Sequence, residues 1–544
     1  MAATKDFLDT FDHVVVLMME NRSFDNLLGH LYDGPLPDGK KFEGAQGQWN
    51  PDHNGKGRIE TALTSDPHEP YPDPGEFFEN VVTQLYGKAN LPLPHGPDPT
   101  LDEPKMNGFV LDYYNVLNSQ SWFMGKWWPW QANRGCQSRR IMKCFRPSAI
   151  PALAQLAQQF AVFDHWFCAL PSETWPNRAF WHAATSWGFA DMPFYPSPAK
   201  GDRSLVRWLE DSCTGTLFSL LDERFAGQSD NWCIYADTPI MSATELIHYG
   251  SFHGIAKKVK KVHRRNFQYD DPSNFFADCQ SGKLPKYAFL EPHMFNFMPP
   301  EFWHNDMHPS EWVKSWSWIF LAQGGPGSVL LGDHLISQVY ESIRTSQHRD
   351  ARGRLLRDRT LLIITFDEHG GCFDHVPPPC ATPPLNIPNP EYGFEFKRLG
   401  PRVPTVMVSS HIAPNTIVND TMHHCSFLKT MQEKWDLGSL GPRQDDAPSF
   451  AKAVFSEKHR SWPELSDIYR DHPAIARAKA NPPKLRRNQP LSRLQSTLLA
   501  GMYAHLCNLG HGSVEKAPRL KTQGDAHDFF ARYAEPLNKI RRGD

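Results

Sequence analysis

Two short apolar runs, each followed at once by a pair of oxygen-bearing side chains, constrain this chain more than anything else in it. His13 to Met19 reads HVVVLMM and leads into Glu20-Asn21-Arg22-Ser23; Leu361 to Phe366 reads LLIITF and leads into Asp367-Glu368-His369-Gly370-Gly371. Continuous apolar runs of this length, rich in β-branched residues, are the pattern of strands covered on both faces. Val403 to Ser409 (VPTVMVS) is a third such run, and Pro151 to Phe160 reads as a helix with proline in its first turn, leading into a strand over Ala161 to Ala169. Buried strands separated by helical stretches predict an α/β fold with a mostly parallel sheet, in which ligands gather at the carboxyl ends of strands. The polar pairs stand where that architecture places chemistry.

The spacing of the chemical residues sets the domain organisation. They lie near positions 20, 174 and 367, and they can act together only if most of the 544 residues form one unit. We expect a catalytic domain over 10–460, with the Pro-, Gly- and Asp-dense segment 31–105 as a lid-like insertion, and a polar, helical C-terminal extension over 461–544 packed on it. A formal charge of -3 offers no basic face, so nucleic acid is not an expected partner. No stretch approaches the roughly 20 apolar residues that cross a bilayer, and the N-terminus lacks a secretory pattern, which predicts a cytoplasmic protein without a transmembrane segment. Ten cysteines with no CxxC pair are expected as free thiols, not as a zinc ribbon or a disulfide scaffold.

Taken singly, each candidate has an ordinary use. Glu20-Asn21 is what a turn or helix cap employs, and Asp367-Glu368 is a solvated acidic turn. Together, hard oxygen donors at two strand ends suit a divalent cation: Mg²⁺, Ca²⁺ or Mn²⁺, with carboxylates serving Zn²⁺ as well. Adjacent carboxylates repel unless a cation or a proton relieves them. Gly370 and Gly371 let the backbone turn sharply there.

Thr174 sits in Pro171-Ser172-Glu173-Thr174-Trp175-Pro176-Asn177-Arg178, just before a proline that favours a first helical turn, so its hydroxyl should lie at a helix N-terminus that attracts an anion. Alone it is a cap threonine; beside a cation it can be a nucleophile. In His304-Asn305-Asp306-Met307-His308-Pro309 the prolines favour a loop, and a histidine there can protonate a leaving oxygen. Ser121 to Gln131 (SWFMGKWWPWQ) offers rings either for internal packing or for a greasy substrate.

In order along the chain, Glu20-Asn21-Arg22-Ser23-Phe24-Asp25, Thr174-x-Pro176-Asn177-Arg178 with Ala184-Thr185-Ser186-x-Gly188, Asn305-Asp306-x-His308-Pro309-Ser310, Asp367-Glu368-His369-Gly370-Gly371-x-x-Asp374-His375-Val376-x-Pro378, and Arg402-Val403-Pro404 resemble the phosphoesterases that include bacterial phospholipases C, an acid phosphatase group and plant non-specific phospholipases C. The resemblance spans roughly residues 12 to 435. It implies an alkaline-phosphatase-like α/β/α fold and one or more divalent metal ions held by Glu20, Asn21, Thr174, Asp367 and Glu368. His308 and Asp306 join Thr174 as catalytic residues, with Asn177 and His304 as phosphate-binding ones.

The activity implied is hydrolysis of a phosphate ester through a phospho-threonine, most of all phospholipase C-type cleavage of a phosphodiester, with phospholipid at a membrane surface as the partner. A phosphomonoesterase acting on small soluble esters is the alternative, and an inactive metal- and anion-binding relative a distant one. Three positions depart from the pattern: Glu76 stands where Asp-Pro-Gly-His is usual, His293 where Glu-Pro-Arg is usual, and Trp187 where the plant members often carry histidine.

Overall fold

The computed structural model describes residues 7–542 apart from 33, 35, 37–38, 89–97, 125–133, 194–203, 237–240, 254–263, 266–273, 295–303, 310–327, 386, 388, 466–468, 470–471, 481–486, 489–490, 492 and 512–519. Eight strands form its central sheet: β1 (His13–Met19), β2 (Ala161–Phe163), β3 (Trp232–Ala236), β4 (Arg264–Arg265), β5 (Tyr287–Glu291), β6 (Thr360–Phe366), β7 (Thr405–Val408) and β8 (Thr416–Val418), in the order β8-β2-β7-β6-β1-β5-β3-β4. Every pairing is parallel except the two that β7 makes, with β6 and with β2. All seven residues of β1 and all seven of β6 are buried, as runs without polar alternation require.

Helices cover both faces. On the face of Tyr287 and Phe289 lie α4 (Thr174–Ala183) and α7 (His424–Trp435): Trp181 Nε1 donates to the Tyr287 hydroxyl at 3.4 Å, and the Tyr287 and Phe427 rings are 5.7 Å apart. Tyr235 pairs in register with Leu290 and so faces the other way, where its ring meets Phe275 of α5 (Phe275–Ser281) edge-on at 5.4 Å. Helices α3 (Pro151–Gln159) and α6 (Val329–Thr345) dock through Asp333, whose carboxylate accepts the Ala152 and Leu153 amides at 2.8 Å each, satisfying two orphan donors of the α3 N-terminus. The α/β/α layering matches the expectation.

Local expectations shift in two places. The strand anticipated over 161–169 splits: β2 ends at Phe163, and Trp166–Phe167 pairs instead with Met422–His423. Between them the buried Asp164 accepts the Glu43 amide at 2.8 Å and the Asn419 side chain at 2.7 Å, which turns the chain out of the sheet. Segment 31–105 is not bare loop. Helix α1 (Phe24–Leu28) precedes it, and it contains strands Trp49–Pro51, Arg58–Glu60 and Ala62–Thr64 and helix α2 (Phe78–Tyr86).

Near the C-terminus, α8 (Arg493–Asn508) buries Leu498, Leu499, Met502 and Leu506 in one cluster with Trp175 and Ala179 of α4. The ring side chains of Ser121 to Gln131 lie outside the described residues. All ten cysteines are free, and among the described residues no helix is long and apolar enough to cross a membrane.

Candidate active site

Register explains how residues 346 positions apart meet. Met19 pairs with Phe366 at the carboxyl ends of β1 and β6, so Glu20-Asn21 and Asp367-Glu368 leave the sheet side by side. The ladder carries on past both strands: the Asp367 amide donates to Met19 O at 3.3 Å, the Arg22 amide to Glu368 O at 3.1 Å, and the Asn21 amide to Asp367 Oδ1 at 3.1 Å. Asn21 takes a left-handed backbone (φ 55°), a conformation asparagine tolerates better than most side chains. Gly370 and Gly371 also have positive φ (62° and 63°); a Cβ on Gly370 would lie 2.1 Å from Asn21 O, so only glycine lets the two turns nest.

Thr174 begins α4 but does not cap it. Glu173 is the N-cap, and the Thr174 hydroxyl lies 3.2 Å from Glu20 Oε2 and 3.4 Å from Asn21 Oδ1. One turn further along the same face, Arg178 pairs with Glu20 Oε1 and, at 3.0 Å, with Asp367 Oδ2. Thus Thr174, Glu20, Asn21 and Asp367 are brought together, and Glu368 follows directly. All five are buried.

The electrostatics fit a cation. Burial, and then the neighbouring charges of Glu76 and Asp367, hold the Glu368 carboxyl well above the ordinary range; burial does the same to Glu20, partly opposed by Arg178. Arg178 stays firmly charged, because Glu20, Asp367 and Glu291 outweigh the cost of its own burial. Glu368 Oε1 is fully buried and finds no hydrogen-bond partner among the described residues. One arginine does not balance three carboxylates, and an oxygen-rich seat with an unsatisfied carboxylate oxygen is what a divalent ion requires. Asp73, Glu76 and His308 form another convergent group, each offering a donor atom within 4.8 Å of the others. Asp25, Asp374 and His375 form a third, but Arg402 already sits there, with Nη2 at 2.8 Å from Asp25 and Nε at 2.9 Å from Asp374.

The 304–309 segment is a loop, held beside the seat by Arg22, whose Nε donates to Met307 O at 2.7 Å, and by the Glu20 amide, which donates to Asp306 O at 2.8 Å. Asp306 accepts the His308 amide at 3.0 Å, so it shapes this loop; burial pushes its carboxyl up to about 6. The His308 Nδ1 edge bonds to Pro309 O at 2.8 Å, and Nε2 lies 3.3 Å from Glu76 Oε1. His304 lies 3.7 Å from Asp306, and burial together with His293 and His308 holds its imidazole well below the ordinary value, a neutral ring.

Asn177 is held by the chain around it. Its Oδ1 accepts the Ala169 and Leu170 amides at 2.8 and 3.2 Å, and its Nδ2 faces the carbonyls of Leu170, Ser172 and Glu173 at 3.3, 2.7 and 3.2 Å. The amide therefore fastens the turn that delivers Thr174.

Several site residues escaped the sequence reading. Arg178 was visible only as a motif letter, although its i+4 spacing from Thr174 places both on one helix face. Glu76, a departure in sequence, touches the site directly through Asn21 Nδ2 at 2.7 Å. Gln84 of α2 donates to Gly75 O at 2.7 Å and to Asp112 at 2.8 Å, so its carbonyl oxygen accepts from His369 Nε2 at 2.7 Å; that fixes the ring whose Nδ1 lies 3.2 Å from Glu368. No periodic or spacing signal pointed to Gln84. Trp187, by contrast, is buried edge-on against Trp208 at 5.4 Å and donates to Thr214 at 2.9 Å, a packing role.

A model of the Phosphoesterase family matches residues 11–438. Non-specific phospholipase C6 of Arabidopsis thaliana is 32% identical over 491 residues, covering 87% of this chain and 76% of that protein. Non-specific phospholipase C1 of the same plant is 31% identical over 461 residues, covering 81% and 70%. Phospholipase C A of Mycobacterium tuberculosis (strain ATCC 25618 / H37Rv) is 26% identical over 460 residues, covering 79% and 73%. A solved structure of a protein in the alkaline phosphatase superfamily from Vibrio parahaemolyticus overlaps 55% of this chain and 64% of its own, at 13% identity and a TM-score of 0.29.

Proposed function

Because the chain belongs to the phosphoesterase family and is a hydrolase of phosphoric esters, we propose that it cleaves a phosphodiester in the manner of a phospholipase C, with Thr174 as nucleophile. The observation that carries this reading is the Thr174 hydroxyl itself: it points at Glu20 and Asn21 and not at its own helix. A bare threonine is a weak nucleophile, so the site needs an activating partner. A divalent cation held by Glu20, Asn21, Asp367 and Glu368 with Thr174 would supply it, favouring the alkoxide and neutralising charge on the phosphoryl oxygens.

The chain's own residues do the rest. The Thr174 proton leaves toward Glu20 Oε2 along the 3.2 Å contact as Oγ1 forms its bond to phosphorus. The bond from phosphorus to the leaving oxygen breaks in line, and His308 gives that oxygen a proton, releasing the alcohol, diacylglycerol for a phospholipid. Water then attacks the phospho-threonine: His308 takes its proton, the bond to Oγ1 breaks, and Glu20 returns the proton to Thr174. A phosphoryl group on Thr174 would sit at the N-terminus of α4, at the positive end of the helix dipole, although Pro176 withholds one amide of the first turn.

Thr174→Ala tests this directly. Turnover of phosphatidylcholine and of a nitrophenyl phosphate ester should fall on the order of 10⁴-fold or more, with circular dichroism unchanged. Activity within tenfold of wild type on either ester would overturn the nucleophile. On wild type, release of phosphocholine marks a diesterase, and turnover of nitrophenyl phosphate alone would move the reading to a monoesterase.

A further inference from the structure

Glu76 touches both ends of the proposed reaction. Its Oε2 accepts the Asn21 amide Nδ2 at 2.7 Å, and its Oε1 lies 3.3 Å from His308 Nε2. The backbone that carries it is locked: Gln84 Nε2 donates to Gly75 O at 2.7 Å, and a Cβ on Gly371 would come within 2.4 Å of the same oxygen. We infer that Glu76 is a positioning residue that bridges Asn21 and His308, turning the Asn21 oxygen toward Thr174 and holding the Nε2–H of His308 at the edge of the site.

The reasoning is hydrogen-bond polarity. An asparagine amide is nearly symmetric in shape, and what decides which end faces inward is the partner at the other end. A carboxylate only accepts, so it binds Nδ2 and leaves Oδ1 facing Thr174, 3.4 Å away. The second carboxylate oxygen also only accepts. His308 Nδ1 must donate to Pro309 O, and a carboxylate facing Nε2 can accept only from an N–H, so opposite an ionised Glu76 the ring carries a proton on both nitrogens. One side chain thereby fixes the donor end of an inward-facing ligand and the proton-bearing edge of the ring.

The inference rests on the function proposed above, and the variants separate the two. Glu76→Gln keeps an acceptor for Asn21 but presents an NH₂ to His308, which then must offer its lone pair. Calorimetric titration with Mn²⁺ should give an affinity close to wild type. Turnover of bis(nitrophenyl) phosphate, whose leaving group needs no proton, should stay within about tenfold, whereas turnover of phosphatidylcholine vesicles should fall by roughly 10²-fold or more.

Glu76→Ala removes both contacts and should in addition weaken Mn²⁺ by about 10- to 100-fold, the usual effect of losing a partner that orients a ligand. Equal losses on both esters in Glu76→Gln, or unchanged Mn²⁺ affinity in Glu76→Ala, would overturn the bridge. So would the loss of one bound Mn²⁺ equivalent in Glu76→Ala, because Asp73, Glu76 and His308 would then be a cation seat of their own. If Thr174→Ala kept its activity, the nucleophile would fail while the Mn²⁺ arm still judged Glu76.

Discussion

Replacing Arg178 with methionine removes a charge from the centre of the site while keeping most of the volume. Arg178 and its partners Glu20 and Asp367 are at most 1% exposed, and the Nε to Asp367 contact is 3.0 Å. At an effective dielectric of about 20, a contact of that length is worth roughly 5 kcal/mol before desolvation. Removing one partner of such a buried group strands the others, which costs about 3–5 kcal/mol. In EDTA, urea denaturation of Arg178→Met should therefore show about that much lost stability.

A divalent cation in the seat proposed above would meet one more uncompensated negative charge without the arginine. Its affinity should rise by at least about tenfold, or about 1.4 kcal/mol, and saturating Mn²⁺ should restore part of the lost stability through linkage. The variant would be weaker empty and tighter loaded. Metal-free stability within about 0.5 kcal/mol of wild type, or weaker Mn²⁺ binding by calorimetry, would refute the reasoning.

Two further outcomes follow from particular contacts. Gly370→Ala places a methyl 2.1 Å from Asn21 O at a positive φ, so Mn²⁺ affinity and turnover should each fall by about tenfold or more, measured by titration and nitrophenyl ester hydrolysis; a fully active variant would mean the two turns are not nested. Burial pushes the Asp112 carboxyl up to about 7, so the stability it contributes is present below its unfolded value near 4 and is lost as pH rises through about 7. Wild type should lose about 3 kcal/mol more than Asp112→Asn between pH 5 and pH 8, read from urea midpoints, and equal slopes would refute that assignment.

What could be read from the sequence was whatever a short window carries. The strands of β1 and β6 were legible because seven consecutive buried residues allow no polar alternation, and the switch to Glu20 and Asp367 marks the strand ends without reference to anything distant. Thr174 was legible as a helix start through Pro176. Its orientation was not, because a threonine hydroxyl turns toward its own helix or away from it depending on what lies opposite. The contacts of Asn177 were hidden for the same reason: its amide meets carbonyls that approach only when 169–173 curls back. Phe78, Val81, Val82 and Leu85 do carry a helical spacing, but nothing local to Glu76 or Gln84 announces their contacts with Asn21 and His369, which lie 55 and 285 residues away. The split of 161–169 was hidden because Asp164 answers to Glu43 and Asn419, far away in sequence.

The pairing of β1 between β5 and β6 also has a timetable. At roughly 5–20 residues per second of synthesis, the 346 residues separating Asn21 from Asp367 take about 17 to 70 seconds to emerge. Neither edge of HVVVLMM has its native neighbour until β5 is made, and the edge that pairs with β6 stays bare until residue 366 has been made, the condition under which apolar strands join the wrong neighbour. A nascent chain of this protein thus holds Thr174 and Glu20 long before it can complete their site. Production should then be limited by how well that first strand is shielded while it waits, which makes the N-terminal twenty residues the natural place to seek a chaperone's grip.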